Sequence, residues 1–185
     1  ARAEGIFEPA VLYGYFEARG AGNSIFVRST AGAELEFEFP RQSAGRHLCL
    51  ADFVQPQDDH VAFHVATVGG RVSAVTAELF AQGNFRDYVE LHGLSVALTE
   101  ALAEFWHSRV RQEWDIAAAD APDLAGILKQ QYQGERFSFG YPACPDLSQQ
   151  VLLDQLLDFS RIAVSLSEEF QLHPEQSTSA LILHH

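Results

Sequence analysis

The ten residues from Arg136 to Pro145, RFSFGYPACP, gather one cation, one amphipathic aromatic, a glycine and two prolines. Pro142 and Pro145 lack the amide hydrogen that a helix interior or central strand uses. Each also pushes its predecessor, Tyr141 or Cys144, toward extended geometry. Gly140 opens a backbone path closed to other residues and permits close approach of a ligand. The reading is a stiff, extended loop outside regular structure, with free backbone polar groups. Arg136 and Tyr141 suit a small ligand that carries a carboxylate and a flat or cationic part. The plainer alternative for Arg136, a surface arginine, stays open.

Elsewhere the chemistry is thinner. Glu100, Glu104, His107 and Arg111 share one helix face by their three- and four-residue spacing. Glu104 and His107 form one Glu-x-x-His step, whereas a di-iron bundle needs two such steps and two further glutamates. A salt-linked, exposed face is therefore expected for Glu104, His107 and Arg111. His60 and His64 read as structural strand histidines. Cys49 and Cys144 make neither a CxxC pair nor a disulfide framework. Cys144 has no basic neighbour in sequence, so packing is expected of it rather than reactivity. Gly20 and Gly22 lack the third glycine and following helix of a dinucleotide loop. His184 and His185 read either as a strand end or as an added boundary.

The elements that must position these residues follow from periodicity. Val11–Phe16 and Ser24–Arg28 read as strands about the Gly20–Asn23 turn, and residues 34–39 alternate charged and apolar as a half-buried strand. Hairpin-like spacing predicts antiparallel pairing with the acidic side in water. Residues 47–54 read as a compact apolar turn, and the β-branched run Val61–Val68 as a central strand. A short helix is expected from about Val72 to Gly83. A long one runs from about Phe85 to Trp114, its apolar residues recurring at three and four. Further helices are read at residues 123–131 and 146–157, and late strands at 161–166 and 178–183. Strands and helices do not alternate regularly, so the fold class is α+β with an antiparallel sheet.

A chain of 185 residues, 47% apolar and 20% charged, fits one soluble domain, or one domain with a small arm. Its net charge of −13 argues against nucleic-acid and anionic-membrane partners. There is no basic-then-apolar leader at Ala1–Gly5 and no apolar run of spanning length, so a cytoplasmic protein is expected.

The RFSFGYPACP run resembles the R-x-x-x-G-Y-P-A-C-P motif of the activation domain of cobalamin-dependent methionine synthase. The blocks VLYGYF (11–16), LCLADFV (48–54), LAEFWHSRVR (102–111), YQG (132–134) and PEQSTS (174–179) resemble the same family in the same order. The resemblance implies a C-shaped α+β domain, a twisted antiparallel sheet flanked by helices, covering 1–185. It implies an S-adenosylmethionine site: Arg136 on the methionyl carboxylate, Gly140 and Tyr141 lining the ligand, Ser138 offering backbone hydrogen bonds, and Glu100 facing the ligand's positive charge. The implied role is reductive methylation of cob(II)alamin, reactivating a methyltransferase that makes methionine. The partners implied are a cobalamin-binding domain and a flavodoxin-like or other reductase. A sulfonium methyl attacked by reduced cobalt needs no protein nucleophile, base or metal, only positioning. The family's N-terminal helical arm and C-terminal continuation are expected to be missing here, and isolated methionine synthesis is not expected. The competing reading is a non-catalytic docking module with an incomplete ligand site.

Overall fold

Successive strand residues point to opposite faces of the sheet, which a computed structural model describes for residues 5–185. Ala1–Glu4, on which the expectation about the N-terminus falls, lie outside the described residues. Twelve helices and strands follow in order: β1 (Ala10–Ala21), β2 (Ser24–Arg28), β3 (Glu34–Glu38), β4 (Asp59–Thr67), α1 (Gly70–Ala81), α2 (Phe85–Glu113), α3 (Leu124–Leu128), β5 (Glu135–Ser138), α4 (Gln150–Leu157), β6 (Ser165–Leu166), β7 (Leu172–His173) and β8 (Ser177–Leu183). The main sheet has the order β3-β2-β1-β4-β8-β5, with every neighbour antiparallel. The α+β class and the antiparallel sheet are as expected. In β3, Glu34, Glu36 and Glu38 face solvent while Phe37 is fully buried, as its alternation requires.

Central strand β4 shows how the two faces are used. Val61, Phe63 and Val65 join Leu12, Phe16, Phe37 and Leu181 in the main core, closed by Leu153 and Leu157 of α4. Ala62, on the opposite face, packs with Val110 of α2 and Ile182 of β8. Small residues on that face let the 29-residue α2 lie across β4 and β8. At 1.5 Å per residue it is about 43 Å long. Gly20 serves a similar purpose in β1: an added Cβ would stand 2.4 Å from the Val54 carbonyl oxygen and 2.5 Å from that of Ala51. Only glycine lets the strand close against the Leu50–Phe53 turn.

Three expectations need correction. Arg136 to Ser138 are not loop: they form β5, hydrogen-bonded to β8 with Arg136 opposite Ile182 and Ser138 opposite Ala180. Residues 161–166 are not a strand. Phe159–Ile162 is a 3-10 turn bounded by Asp158 and Ala163 in left-handed backbone, and only Ser165–Leu166 pairs, with β7. The Glu104, His107 and Arg111 face is not exposed. His107 and Arg111 are fully buried because residues 115–132 fold over them. Arg111 donates from Nε and Nη2 to Asp120 at 3.0–3.2 Å and lies 3.9 Å over the Tyr132 ring. Among the described residues, no helix is long and apolar enough to cross a membrane.

Candidate functional site

Strand alternation decides which side chains meet. Arg136 and Ser138 are two residues apart on β5 and share the face turned toward α2. Arg136 donates from Nη2 to Glu100 Oε2 and from Nη1 to Ser138 Oγ, both at 3.3 Å. Its side chain is 15% exposed and that of Glu100 51%, so a half-sheltered cation stands beside a wet carboxylate. The Ser138 hydroxyl thus takes part in holding the guanidinium. Two of five guanidinium N–H donors are used, and the others stay available to an incoming carboxylate.

The residues after β5 turn back on themselves. Gly140 has φ +89°, and a Cβ there would meet Leu147 Cδ2 at 3.2 Å. Its amide donates to the Cys144 carbonyl at 2.9 Å, and the Cys144 amide donates to the Tyr141 carbonyl at 2.9 Å. The Tyr141 amide reaches the Ser138 carbonyl at 3.4 Å. The expected open, extended loop is therefore a closed turn. Because Pro142 and Pro145 offer no donor, the amides of Gly140, Tyr141 and Cys144 close the turn between them. Cys144 is fully buried, with Sγ 2.9 Å from the Ser138 carbonyl oxygen, and burial pushes its thiol up to about 12. It packs, as expected, and Tyr141 is left 64% exposed at the tip.

Two clefts adjoin at this tip. One, of about 280 Å³, is lined by Glu100, Arg136, Ser138 and Tyr141. The other, of about 350 Å³, is lined by Thr99, Glu100, Gly140, Tyr141, Gln150 and Gln176. All five residues singled out from sequence (Arg136, Ser138, Gly140, Tyr141 and Glu100) border this groove, although Glu100 lies 36 residues before Arg136. A larger cavity, about 610 Å³, borders Arg41, Arg46, Phe53 and Glu135. Arg41 there is already engaged by Asp52 at 2.6 Å, whereas Arg136 keeps guanidinium donors to spare beside Glu100, so size and chemistry point to different places.

Sequence reasoning missed the polar floor. The Gln150 amide donates to the Phe170 carbonyl at 2.7 Å and accepts from Ser179 Oγ at 2.6 Å. The buried Gln176 carbonyl accepts from Thr99 Oγ1 at 3.2 Å and Thr67 Oγ1 at 3.3 Å, while its side-chain oxygen accepts from Ser73. The PEQSTS block carried that signal, but nothing local shows that its glutamine points inward.

Beneath the groove lie two buried histidines, His64 of β4 and His107 of α2. Neither ring has a hydrogen-bond partner among the described residues. Burial, with the Arg136 charge adding, pushes His64 down to about 3. Burial, then Arg111, does the same to His107. Both are neutral imidazoles at ordinary pH, which suits His64 to the structural role expected of it.

Comparison with known proteins bears on this geometry. Residues 2–185 match the family described as vitamin B12-dependent methionine synthase, activation domain. A methionine synthase of Mycobacterium leprae (strain TN) is 45% identical over 194 residues, covering 95% of this chain and 16% of the relative. A methionine synthase of Mycobacterium tuberculosis (strain ATCC 25618 / H37Rv) is 45% identical with the same coverage. The chain thus spans about one-sixth of the length of the curated relatives it matches. Among solved structures, the MetH reactivation domain bound to AdoHcy superposes with a TM-score of 0.86 at 27% identity, over 99% of this chain and 60% of that one. On this evidence the chain belongs to the activation-domain family of vitamin B12-dependent methionine synthases.

Proposed function

We propose that this domain binds S-adenosylmethionine in the groove beside Arg136 and presents its methyl group to a cobalamin held by a companion domain. The observation that carries the reading is the convergence of Arg136, Ser138, Glu100, Gly140 and Tyr141 on two adjoining clefts. The methionyl end of the ligand is a zwitterion, and the groove offers a guanidinium and a carboxylate 3.3 Å apart. Arg136 takes the ligand's carboxylate, and Glu100 stands where an ammonium or sulfonium is attracted. Exposed Tyr141 offers its ring face to adenine or the sulfonium. The AdoHcy held by the structurally similar reactivation domain is the demethylated form of the same ligand.

In this role the domain supplies position rather than acid–base chemistry. A cobalamin held by the companion domain, once reduced by one electron from an external reductase, would supply the nucleophile for the sulfonium methyl, with S-adenosylhomocysteine as the leaving group. The groove residues hold the sulfonium with its methyl outward. They need move no proton. The partners on this reading are the cobalamin-binding domain of the longer protein and a flavodoxin-like or other reductase.

Titration calorimetry with S-adenosylmethionine tests the reading. Arg136→Ala removes a charge-assisted contact of about 1.5–3 kcal/mol and is expected to weaken binding by about ten- to 150-fold. No heat of binding from the longer natural protein, or equal affinity in Arg136→Ala, would overturn it.

A further inference from the structure

The end of the sheet away from the groove carries a second constellation. Asp59 opens β4, and His184 and His185 follow the last residue of β8. Ala62 pairs with Ile182, so the same register continued by three residues brings Asp59 opposite His185. Asp59 is buried at 5% exposure, and its carboxylate is fixed by the backbone amides of Gln55 at 2.7 Å and His60 at 2.8 Å. His184 Nε2 lies 2.7 Å from Asp59 Oδ1, and His185 Nε2 lies 3.6 Å from Asp59 Oδ2. The two imidazoles are 4.0 Å apart between centroids, and one donor atom from each residue falls within a 4.8 Å span. Trp114 meets the His184 ring edge-on at 5.6 Å and restricts it.

We propose that Asp59, His184 and His185 form a binding site for a borderline divalent transition cation such as Zn2+ or Co2+. Two imidazoles and one carboxylate are the donors such ions select, whereas Mg2+ and Ca2+ prefer oxygen throughout. Metal–ligand bonds of about 2.0–2.2 Å set donors about 3.4 Å apart around a tetrahedral ion. The observed 2.7 and 3.6 Å separations bracket that spacing, so the ion replaces the His184–Asp59 hydrogen bond with little motion. The amides of Gln55 and His60 orient the carboxylate, the support that metal sites use beyond their ligands. The side chains of His184 and His185 are 30% and 36% exposed, which gives the ion a path of entry. Bound there, it ties the start of β4 to the end of β8.

The test is calorimetric titration of untagged protein with Zn2+, paired with Co2+ quenching of Trp114 fluorescence. The site predicts one ion per chain, a raised thermal midpoint with Zn2+, and a tenfold or larger loss of affinity in both Asp59→Asn and His185→Gln. Partly exposed His185 can be replaced without disturbing the core, so that variant decides the matter if Asp59→Asn fails to fold. Absence of saturable binding up to about 1 mM Zn2+ would overturn the proposal. So would unchanged affinity in either variant, since the remaining groups would then bind without the constellation.

Discussion

Mild acid should destabilise this domain through His64 and His107 before its carboxylates titrate. Both imidazoles are buried, and both are pushed down to about 3. In the unfolded chain each regains an ordinary value near 6.5. Above that value neither state binds the proton, so stability is independent of these residues. Below it the unfolded state takes up two protons that the folded state refuses, and stability falls until the folded values near 3 are reached. At pH 5 each histidine has lost about 1.5 units times 1.36 kcal/mol, or about 2 kcal/mol, and the two together about 4 kcal/mol. That is a large share of the 5–15 kcal/mol typical of a domain.

The carboxylates act in a different window. Asp52, held down to about 2 by Arg41 and the Cys49 amide, loses its contribution only as pH falls from the ordinary carboxylate range toward 2. Urea unfolding followed by circular dichroism between about pH 7.5 and 5.0 therefore isolates the histidines. The limiting slope for two protons is about 2.7 kcal/mol per pH unit. His64→Leu/His107→Leu, which replaces rings without hydrogen-bond partners among the described residues by apolar groups of similar size, should flatten the dependence down to pH 5. A wild-type stability constant from pH 6.5 to 5, or a double variant that loses as much, would refute the reasoning.

Asp120→Asn should destabilise the domain by about 3–5 kcal/mol, because it strips the main counter-charge from a fully buried Arg111. Urea midpoints measure this, and Arg111→Met/Asp120→Leu should recover most of the loss; equal instability of both variants would sink the electrostatic account. Cys144 should resist alkylation in the folded protein and react at once in urea, since its thiol is buried and pushed up to about 12. Rapid labelling of native protein, read by mass spectrometry, would contradict that.

What the sequence revealed and what it hid follow from the range of the forces involved. Local periodicity found α2 and β3 because a helix or strand face recurs within a few residues. It misjudged Arg111, since the group that buries it, Asp120, sits nine residues on in a stretch without periodicity. Gly140 was legible because its φ of +89° is a requirement of the residue itself. The surrounding turn was not, because its closing bonds arise from which amides the prolines leave over. Glu100 is the sharpest case. Nothing within its neighbourhood directs it to Arg136, and only family resemblance suggested it. The contact exists because β5 pairs with β8 while α2 packs over β8 on the same face, so two independent long-range pairings together set a 3.3 Å distance. A perturbation of the β5–β8 pairing should therefore separate Arg136 from Glu100 without touching either residue.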